Sequence, residues 1–227
     1  MQQKRSLRRA QPAPVEPDDV PATRGERKLR TRGHLLAAAL ALMGEGRGFA
    51  SLSLREITRA AGVVPASFYR HFRDLDELGL ALVEECGVTL RRLLREARRV
   101  GVPPTHMLRS SVQIYKRYLE AHRLHFLFAA GERGGGSPVI RRAIRSEESH
   151  FANEMAQDMR ALGMLPNLPT ATLQMMCGLV VTTMINAATD ILDLPPKQAR
   201  LEAELVENFV RQLRMIFLGA KYWREDA

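Results

Sequence analysis

The sequence predicts an all-α protein with an N-terminal three-helix bundle followed by a larger helical domain. Apolar residues recur at helical spacing through most of the 227 residues. A chain of this length can bury a sizeable core, and it suits one domain of ordinary size with a smaller second one. Residues 51–73 pack two short helices and a glycine turn into one unit, so we place the first domain at residues 25–73 and the second at residues 74–227.

The first 24 residues are predicted to form a disordered arm. Four prolines interrupt them, at positions 12, 14, 17 and 21, and no helical or strand period is present. The basic side chains of Lys4, Arg5, Arg8 and Arg9 would add nonspecific DNA contacts, although a solvated tail is the favoured interpretation. Because no apolar run of seven residues occurs here, no signal peptide is predicted.

The first helix is predicted over residues 26–43. Its apolar face is formed by Leu29, Leu35, Leu36, Ala39, Leu40 and Leu42. Four cations, Arg27, Lys28, Arg30 and Arg32, crowd the start of this helix, where they oppose the helix dipole. A phosphate partner would offset this repulsion, and a solvated basic turn is the alternative.

The second helix begins with a capping box. The Ser53 hydroxyl is placed to accept from the Glu56 amide while the Glu56 carboxylate reaches back to the Ser53 amide. Gly62 can adopt a positive φ and is expected to end the helix. The spacing predicts an inward face of Leu54, Ile57, Ala60 and Ala61, and an outward face of Arg55, Thr58 and Arg59.

The third helix is short and amphipathic. Pro65 suits its first turn, and Phe68 and Phe72, four residues apart, are the predicted inward anchors. The outward row consists of Ala66, Ser67, Tyr69, Arg70 and His71. Small residues permit close approach to base edges, arginine reads guanine, and hydroxyl groups bind phosphate, so this row favours a major-groove contact. A surface-exposed helical hairpin is the alternative.

These residues carry a family resemblance. The run LSLREITRAAGVVPASFYRHFRDLDEL resembles the DNA-binding segment of the TetR family of bacterial repressors. By position, the resemblance assigns Arg55 and Ser67 to base or near-base contacts and gives Arg70 either role. It assigns phosphate contacts to Ser53, Tyr69, His71 and Arg73. Ala66 belongs to the same predicted DNA-binding set as a small residue that lets the helix approach base edges. It also implies a homodimer that binds a palindromic operator and answers to a small-molecule effector.

A finer resemblance points to an effector class. Residues 49–85, together with LRMIFLGAKYW at residues 213–223, resemble the FabR/DesT type, which controls unsaturated fatty acid synthesis. This resemblance implies a long-chain acyl-CoA or another acyl thioester as effector, with Arg141, Arg142 and Arg145 as candidate partners of its anionic carrier. The alternative within the family is a sensor of hydrophobic drugs that controls efflux.

The charge distribution supports a nucleic-acid partner. The formal net charge is +9, and residues 1–32 carry nine basic and four acidic groups. A basic end beside a helix-turn-helix favours the phosphate backbone of DNA. An anionic membrane surface attracts the same residues. A helical lipid-binding protein without specific DNA binding is therefore the alternative from another class.

The second domain begins with a connecting helix over residues 74–100, capped by Asp74 and Glu77, which the resemblance makes a lever between the domains. Further helices are predicted over residues 105–121, 123–131, 137–162, 168–192 and 199–220. Residues 168–192 are almost continuously apolar, but Gln174, Asn186 and Asp190 favour a buried helix over a membrane span. The last two helices are expected to form the dimer interface, which would place two recognition helices about one DNA turn apart, or a multiple of one turn.

Large, partly deformable side chains form the predicted ligand pocket, for which plain core packing is the more common outcome. They are Phe126, Phe128, Phe151, Met155, Met159, Met176, Val180 and Met184.

No enzyme, metal site or cofactor is predicted. His122 with His125, and Glu147 with His150, are isolated pairs, whereas a zinc or di-iron site needs more ligands. No nucleophile motif or phosphate loop is present. Cys86 and Cys177 fall in separate helical patterns, which is typical of a protein of the reducing cytoplasm.

Overall fold

A computed structural model describes residues 23–99, 107–195 and 197–224 of the chain. The N-terminal arm predicted from the sequence lies, except for its last two residues, outside the described residues. So does the predicted start of the fifth helix, at residues 105–106.

The described residues contain nine α-helices and no β-strand, which confirms the predicted all-α class. In chain order they are α1 (Arg24–Gly44), α2 (Leu54–Ala60), α3 (Pro65–Phe68), α4 (Leu75–Arg99), α5 (Met107–Ala121), α6 (Arg123–Glu132), α7 (Pro138–Ala161), α8 (Thr170–Leu192) and α9 (Ala199–Tyr222). A short 3-10 turn, Phe49–Ser51, precedes α2. The predicted boundaries agree with these within two residues wherever the chain is described, except at α3, which ends at Phe68 although the predicted outward row of this helix extends to His71.

The N-terminal bundle consists of α1, α2 and α3 with the first turns of α4. Helix α1 starts two residues earlier than predicted because Thr23 and Glu26 form a capping box, in which the Thr23 hydroxyl accepts from the Glu26 amide at 3.2 Å. Its buried face carries Leu35, Leu36 and Leu40, which pack against residues of α2 and α3. The bundle therefore has a continuous apolar interior.

Two details of the predicted faces are wrong. Leu29 is 72% exposed, because it lies in the N-terminal part of α1, ahead of the first buried residue of that helix. In α2, Thr58 is 1% exposed and Ala60 is exposed, so the buried stripe includes Thr58 instead of Ala60. Burial of the Thr58 hydroxyl is tolerated because it donates to the Leu54 and Arg55 carbonyls, at 3.0 and 3.1 Å.

The larger domain is built around α7 and α8. Helix α7 packs along α4 on one side and α8 on the other, and α8 also packs against α9. One core cluster joins α5, α6, α8 and α9, and a second joins the C-terminal half of α7 to α8. These contacts hold α4 against the larger domain while its N-terminal turns belong to the N-terminal bundle.

Helix α8 is the one described helix that is long and apolar enough to cross a bilayer, with a mean hydropathy of 1.5 over its most apolar window. Leu173, Met176, Cys177, Val180 and Val181 are buried against α7 and α9, as in a core helix. However, 39% of the window is buried in this single chain. The exposed remainder of α8 includes the apolar side chains of Met175 and Leu179.

Helix α4 approaches α7 closely at Gly79. A Cβ atom at this position would lie 2.4 Å from Cδ1 of Ile140, which is itself fully buried, and 3.2 Å from the Phe49 ring. By contrast, a Cβ atom at Gly33, which is an exposed position of α1, would meet nothing within 4 Å. The two glycines are therefore matched helical positions with opposite surroundings.

We expect Gly79→Ala to destabilise the protein by about 1–3 kcal/mol, since the added methyl group overpacks the α4–α7 contact. Gly33→Ala should instead stabilise it by about 0.4–1 kcal/mol, because alanine restricts the unfolded chain at no steric cost. Urea unfolding of both variants at one protein concentration measures the difference. Equal stability of the two variants would contradict the close packing at Gly79.

Candidate DNA-binding surface and effector cavity

The helix-turn-helix is defined by its caps. The Ser53 amide donates to the Glu56 carboxylate at 3.0 Å, and the Glu56 amide donates to the Ser53 hydroxyl at 3.3 Å, which confirms the predicted capping box. Gly62 has a φ of +67° and ends α2, as predicted. Val64 then serves as the N-cap of α3, and Pro65 occupies its first turn.

One face of α3 and the following turn is buried and the other is open. Phe68 and Phe72 are 0% and 2% exposed and anchor this segment in the bundle, as predicted. Six predicted contact residues form an outward row, which we call the recognition surface. They are Arg55, Ala66, Ser67, Tyr69, Arg70 and His71, of which Ser67 and His71 are half-buried and the others exposed.

The remaining two predicted DNA contacts, Ser53 and Arg73, already have intramolecular partners. The Ser53 hydroxyl donates to the Glu56 carboxylate at 2.7 Å. The Arg73 Nε atom lies 3.1 Å from the Glu77 carboxylate, but the side chain is 85% exposed. An exposed ion pair of this kind contributes little, so Arg73 can exchange Glu77 for a phosphate at small cost.

The start of α1 adds cations beside the recognition surface. Lys28, Arg32 and Arg70 all act on the His71 imidazole, whose pKa is lowered chiefly by partial burial and then by these three charges. The Arg32 guanidinium also lies 5.3 Å from the centre of the Phe72 ring, which fixes it near α3. The crowding of cations in the sequence signalled this site, but not that α1 and α3 meet here.

A second ion pair braces the approach to α2. The Arg47 guanidinium donates to the Glu56 carboxylate at 2.9 Å and to the Ser51 carbonyl at 3.0 Å. The hydrogen bond from Arg47, followed by those from Ser53, lowers the pKa of Glu56 to about 2. The turn that carries Phe49 is thereby tied to the cap of α2.

An apolar cavity of about 50 Å³ lies between α4, α5, α6, α7 and α8. Four of the predicted pocket residues line it, namely Phe126, Phe128, Phe151 and Met184. Met159 and Met176 pack instead in the α7–α8 core around Cys177, Val180 packs in the α5–α9 core, and Met155 lies between these cores. The periodic pattern identified all eight as interior residues but did not distinguish cavity wall from core.

Sequence reasoning missed the polar residues of the cavity wall. Glu147 and Glu148 line the cavity from α7. Each carboxylate is paired with an arginine outside the lining, Glu147 with Arg91 at 2.9 Å and Glu148 with Arg133 at 2.8 Å. Since a heptad-like apolar pattern gives no signal for an inward carboxylate, only the fold reveals these groups.

Two further cavity residues have buried polar atoms that are already satisfied. The Tyr115 hydroxyl donates to the Met184 carbonyl at 2.7 Å, and burial raises the pKa of Tyr115 above its ordinary value. The Cys86 thiol donates to the His125 carbonyl at 3.3 Å, and burial, followed by Glu85 and Glu147, raises its pKa to about 12. The Cys86 thiol is therefore protonated at neutral pH.

Metal-ligand side chains do not assemble in the described part of the chain, where no group of three or more such residues is found. His125 Nε2 lies 3.5 Å from the Glu85 carboxylate, and His150 Nδ1 lies 3.8 Å from that of Glu147. Each of these contacts joins only two potential metal ligands.

A helix-turn-helix domain joined to a helical domain with an interior apolar cavity is typical of transcriptional regulators in which a single polypeptide carries both a DNA-binding and a ligand-binding domain. Two family models match the chain. One, described as bacterial regulatory proteins of the tetR family, matches residues 35–82. The other, described as a tetracyclin repressor-like C-terminal domain, matches residues 104–212. The chain belongs to the TetR family of transcriptional regulators.

Solved structures of the same fold include one regulator described without a ligand and two described with a bound small molecule. A TetR-family regulator from Syntrophomonas wolfei superposes with a TM-score of 0.67 at 16% identity, over 87% of this chain and all of the other. FadR from Bacillus subtilis, in complex with stearoyl-CoA, gives 0.56 at 14% identity, over 79% and 98%. The multidrug binding protein EbrR, complexed with imidazole, gives 0.54 at 19% identity, over 80% and 93%.

We expect DNA affinity to fall as pH rises, because the His71 imidazole loses its proton. The imidazole pKa is lowered in the free protein, and a DNA phosphate beside it would raise that pKa, so binding takes up a proton between the two values. The dependence is at most about tenfold per pH unit for one proton. His71→Asn should remove this component in titrations of a DNA fragment between pH 5.5 and 8.

The same lowered pKa has the opposite effect on folding. A depressed histidine pKa favours the neutral form, so its contribution to stability is present above the unfolded pKa of 6.5 and is lost as pH falls through the folded pKa.

For the DNA titration, an unchanged pH profile in His71→Asn would show that His71 does not contact a phosphate.

Proposed function

We propose that this regulator is an effector-responsive repressor that binds a palindromic DNA operator as a homodimer. The observation that carries this proposal is the recognition surface itself, in which Arg55 is exposed on α2 and Tyr69 and Arg70 are exposed on the segment anchored by Phe68. The cations at the start of α1 flank it and would meet the DNA backbone.

Within this proposal the eight predicted residues divide by chemistry. Arg55 and Ser67 are offered to bases or their neighbours, and Ala66 lets α3 approach the groove. Arg70 is a candidate for a bidentate guanine contact, which is worth about 1–3 kcal/mol of discrimination. Ser53, Tyr69, His71 and Arg73 are candidates for phosphate, as are Lys28 and Arg32 of α1.

The dimer interface is proposed on α8 and α9. Apolar side chains remain exposed in stripes on these two adjacent helices, and members of the family dimerise. The stripe on α8 carries Met175 and Leu179, 51% and 53% exposed, and that on α9 carries Met215, Leu218 and Tyr222, 73%, 49% and 72% exposed. Four helices from two copies would bury both stripes.

We expect Leu179→Glu to yield a monomer, because it places a charge in the centre of the proposed interface. Val88→Glu, on the 37% exposed position of α4, is the matched control and should leave the dimer intact. Sedimentation velocity of both variants measures the oligomeric state. If Leu179→Glu stays dimeric at micromolar concentration, the interface lies elsewhere.

The effector is proposed to be a long-chain acyl thioester. The apolar cavity would receive the acyl chain, and the relative that binds stearoyl-CoA shares the fold. Arg142 and Arg145, exposed on α7, are candidates for the phosphates of the carrier, together with Arg141, which donates to the Gly135 carbonyl. The regulated genes would then belong to fatty acid synthesis and desaturation.

A hydrophobic cation is the second candidate, and a specific observation favours it. The charged residues that line the cavity are Glu147 and Glu148, and their arginine partners Arg91 and Arg133 are not part of the lining. A cationic amphiphile would find two anionic partners in the wall. The function would then be control of drug efflux, as proposed for a sensor of hydrophobic drugs.

Either effector must enlarge the cavity. Its volume is about 50 Å³, whereas small-molecule pockets measure about 300–1,000 Å³. The walls must therefore separate, and α4 is one of them. Because α4 also carries the first turns next to the recognition surface, separation of α4 from α7 is the physical link between effector and operator.

The experiment has two steps. First, sequencing of genomic DNA fragments retained by the protein should recover a few palindromic sites, preferred over random sequence by about 4–10 kcal/mol. Second, stearoyl-CoA, oleoyl-CoA and a quaternary ammonium amphiphile are titrated against the operator complex. An acyl-CoA is expected to change operator affinity, and Arg145→Ala should weaken that response.

The competing candidate predicts the reverse pattern. The ammonium compound would then change operator affinity, and Glu147→Gln would weaken its effect while leaving any acyl-CoA response unchanged. Charge-driven retention of all DNA fragments alike would contradict the proposed operator binding. No response to either acyl-CoA would exclude the acyl thioester proposal.

A further inference from the structure

Glu132 lies where the effector domain meets the DNA-binding bundle. It is the last residue of α6 and is 4% exposed. Its Oε1 atom accepts a hydrogen bond from the backbone N–H of Phe49 at 3.1 Å, across 83 positions of sequence. Phe49 begins the short turn that leads into α2. A side chain of the effector domain thus holds the backbone of the DNA-binding domain.

The second oxygen of Glu132 makes this contact costly. Within the described part of the chain, the buried Oε2 atom has no hydrogen-bond partner. A buried carboxylate with one unpaired oxygen is unfavourable for stability compared with an apolar side chain of similar size. Its presence is therefore better explained by the position that it imposes on Phe49 than by the stability that it adds.

The loop after α6 is shaped to admit this carboxylate. A Cβ atom at Gly135 would lie 2.1 Å from Oε2 of Glu132, 2.8 Å from its Cδ and 3.0 Å from its Cα. At the adjacent Gly134, a Cβ atom would meet nothing within 4 Å. One glycine of the loop is thus required by Glu132, while its neighbour is not.

Phe128 connects the same junction to the cavity. It lies one helical turn before Glu132, so both face the same side of α6. Its ring packs edge-on against that of Phe49, with the ring centres 5.6 Å apart, and Phe128 also lines the cavity. Any displacement of α6 by a cavity occupant is therefore transmitted to Phe49.

The Phe49 turn is in turn fixed to the helix-turn-helix. Arg47 donates both to the Ser51 carbonyl at the end of the turn and to Glu56, which caps α2 together with Ser53. A continuous path of direct contacts therefore runs from the cavity wall through Glu132 to the cap of α2.

We propose that Glu132 is a positioning residue that fixes the orientation of the helix-turn-helix relative to the effector domain. The hydrogen bond from Phe49 to Glu132 is an interdomain latch beside the α4 connection. This inference goes beyond the proposed function, because it requires a DNA-binding dimer but not a particular effector.

The latch has a measurable consequence for operator geometry. In a two-fold dimer the recognition helices sit at a fixed separation that matches the half-site spacing. A latched dimer should discriminate strongly against an operator with one extra central base pair, which shifts a half-site by about 3.4 Å and rotates it. An unlatched dimer, whose helix-turn-helix units reorient, should discriminate less.

The test compares Gly135→Ala with Gly134→Ala in the full-length protein. We expect Gly135→Ala to displace the Glu132 carboxylate, and Gly134→Ala to behave as wild type. Glu132→Ala removes the acceptor by an independent route, and Glu132→Gln restores one. Two quantities are measured, the exchange rate of the Phe49 amide hydrogen and the ratio of affinities for the selected operator and its one-base-pair insertion.

The latch predicts that Gly135→Ala and Glu132→Ala speed exchange of the Phe49 amide by about tenfold or more and lower the affinity ratio severalfold. Gly134→Ala should change neither quantity, and Glu132→Gln should recover much of both. Unchanged exchange and an unchanged ratio in Gly135→Ala would overturn the proposal. So would an equal loss of affinity for both operators, since that is the result of destabilisation alone.

Absence of any selected operator would count against the proposed function and not against the latch. The exchange of the Phe49 amide is measured without DNA and still decides whether Glu132 holds this backbone. Slow exchange that persists in both Glu132→Ala and Gly135→Ala would then overturn the latch by itself.

Discussion

The core of the DNA-binding end is completed by the effector domain, and the rest of the structure depends on this shared packing. Phe49 and the inward leucines of α1 belong to the same apolar cluster as Phe128 of α6 and Ile140 of α7. A three-helix bundle of this size buries little surface alone. Side chains of α6 and α7 complete the apolar core of this bundle. Any change in how these two helices pack therefore changes the core against which α2 and α3 are held. Coupling between the two ends is then a property of one continuous core, and no separate hinge is needed to explain it.

This arrangement also explains why the cavity is placed where it is. The cavity wall uses α4, α6 and α7, which are the helices that reach the shared core. At the closest approach of α4 to α7, Gly79 admits Ile140, and two turns later Gly87 admits Glu147, whose carboxylate would lie 2.1 Å from a Cβ atom there. The two glycines let side chains of α7 lie against the backbone of α4, so an occupant that separates the two helices breaks both contacts. An interface that is tightly packed has few intermediate arrangements, which favours a switch over a gradual response.

The sequence was informative where local chemistry decides structure. The capping box of Ser53, the end of α2 at Gly62 and the anchors Phe68 and Phe72 follow from short-range spacing, and all are confirmed. The errors at Thr58 and Leu29 have one cause, since which turn of a helix meets the core depends on its neighbours and not on its own period. The cavity lining was harder still to predict from the sequence. Met159 and Phe126 have the same apolar signature, yet only Phe126 lines the cavity. Nothing in the sequence marks Glu132, and Glu147 stands out only as half of an isolated pair with His150, so their interior positions follow from the assembled helices.

The ion pairs at the cavity give its wall a polarity that composition does not reveal. Arg91 and Arg133 neutralise Glu147 and Glu148, so the four side chains carry no net charge. Their placement matters, however, because Glu147 and Glu148 are among the residues that line the cavity, whereas Arg91 and Arg133 are not. An anionic group that enters would meet a wall with two acidic residues and no basic one, whereas a cation would find two acidic partners there. An acyl thioester therefore fits this wall best if only its apolar chain enters and its anionic carrier stays outside, near the exposed arginines of α7.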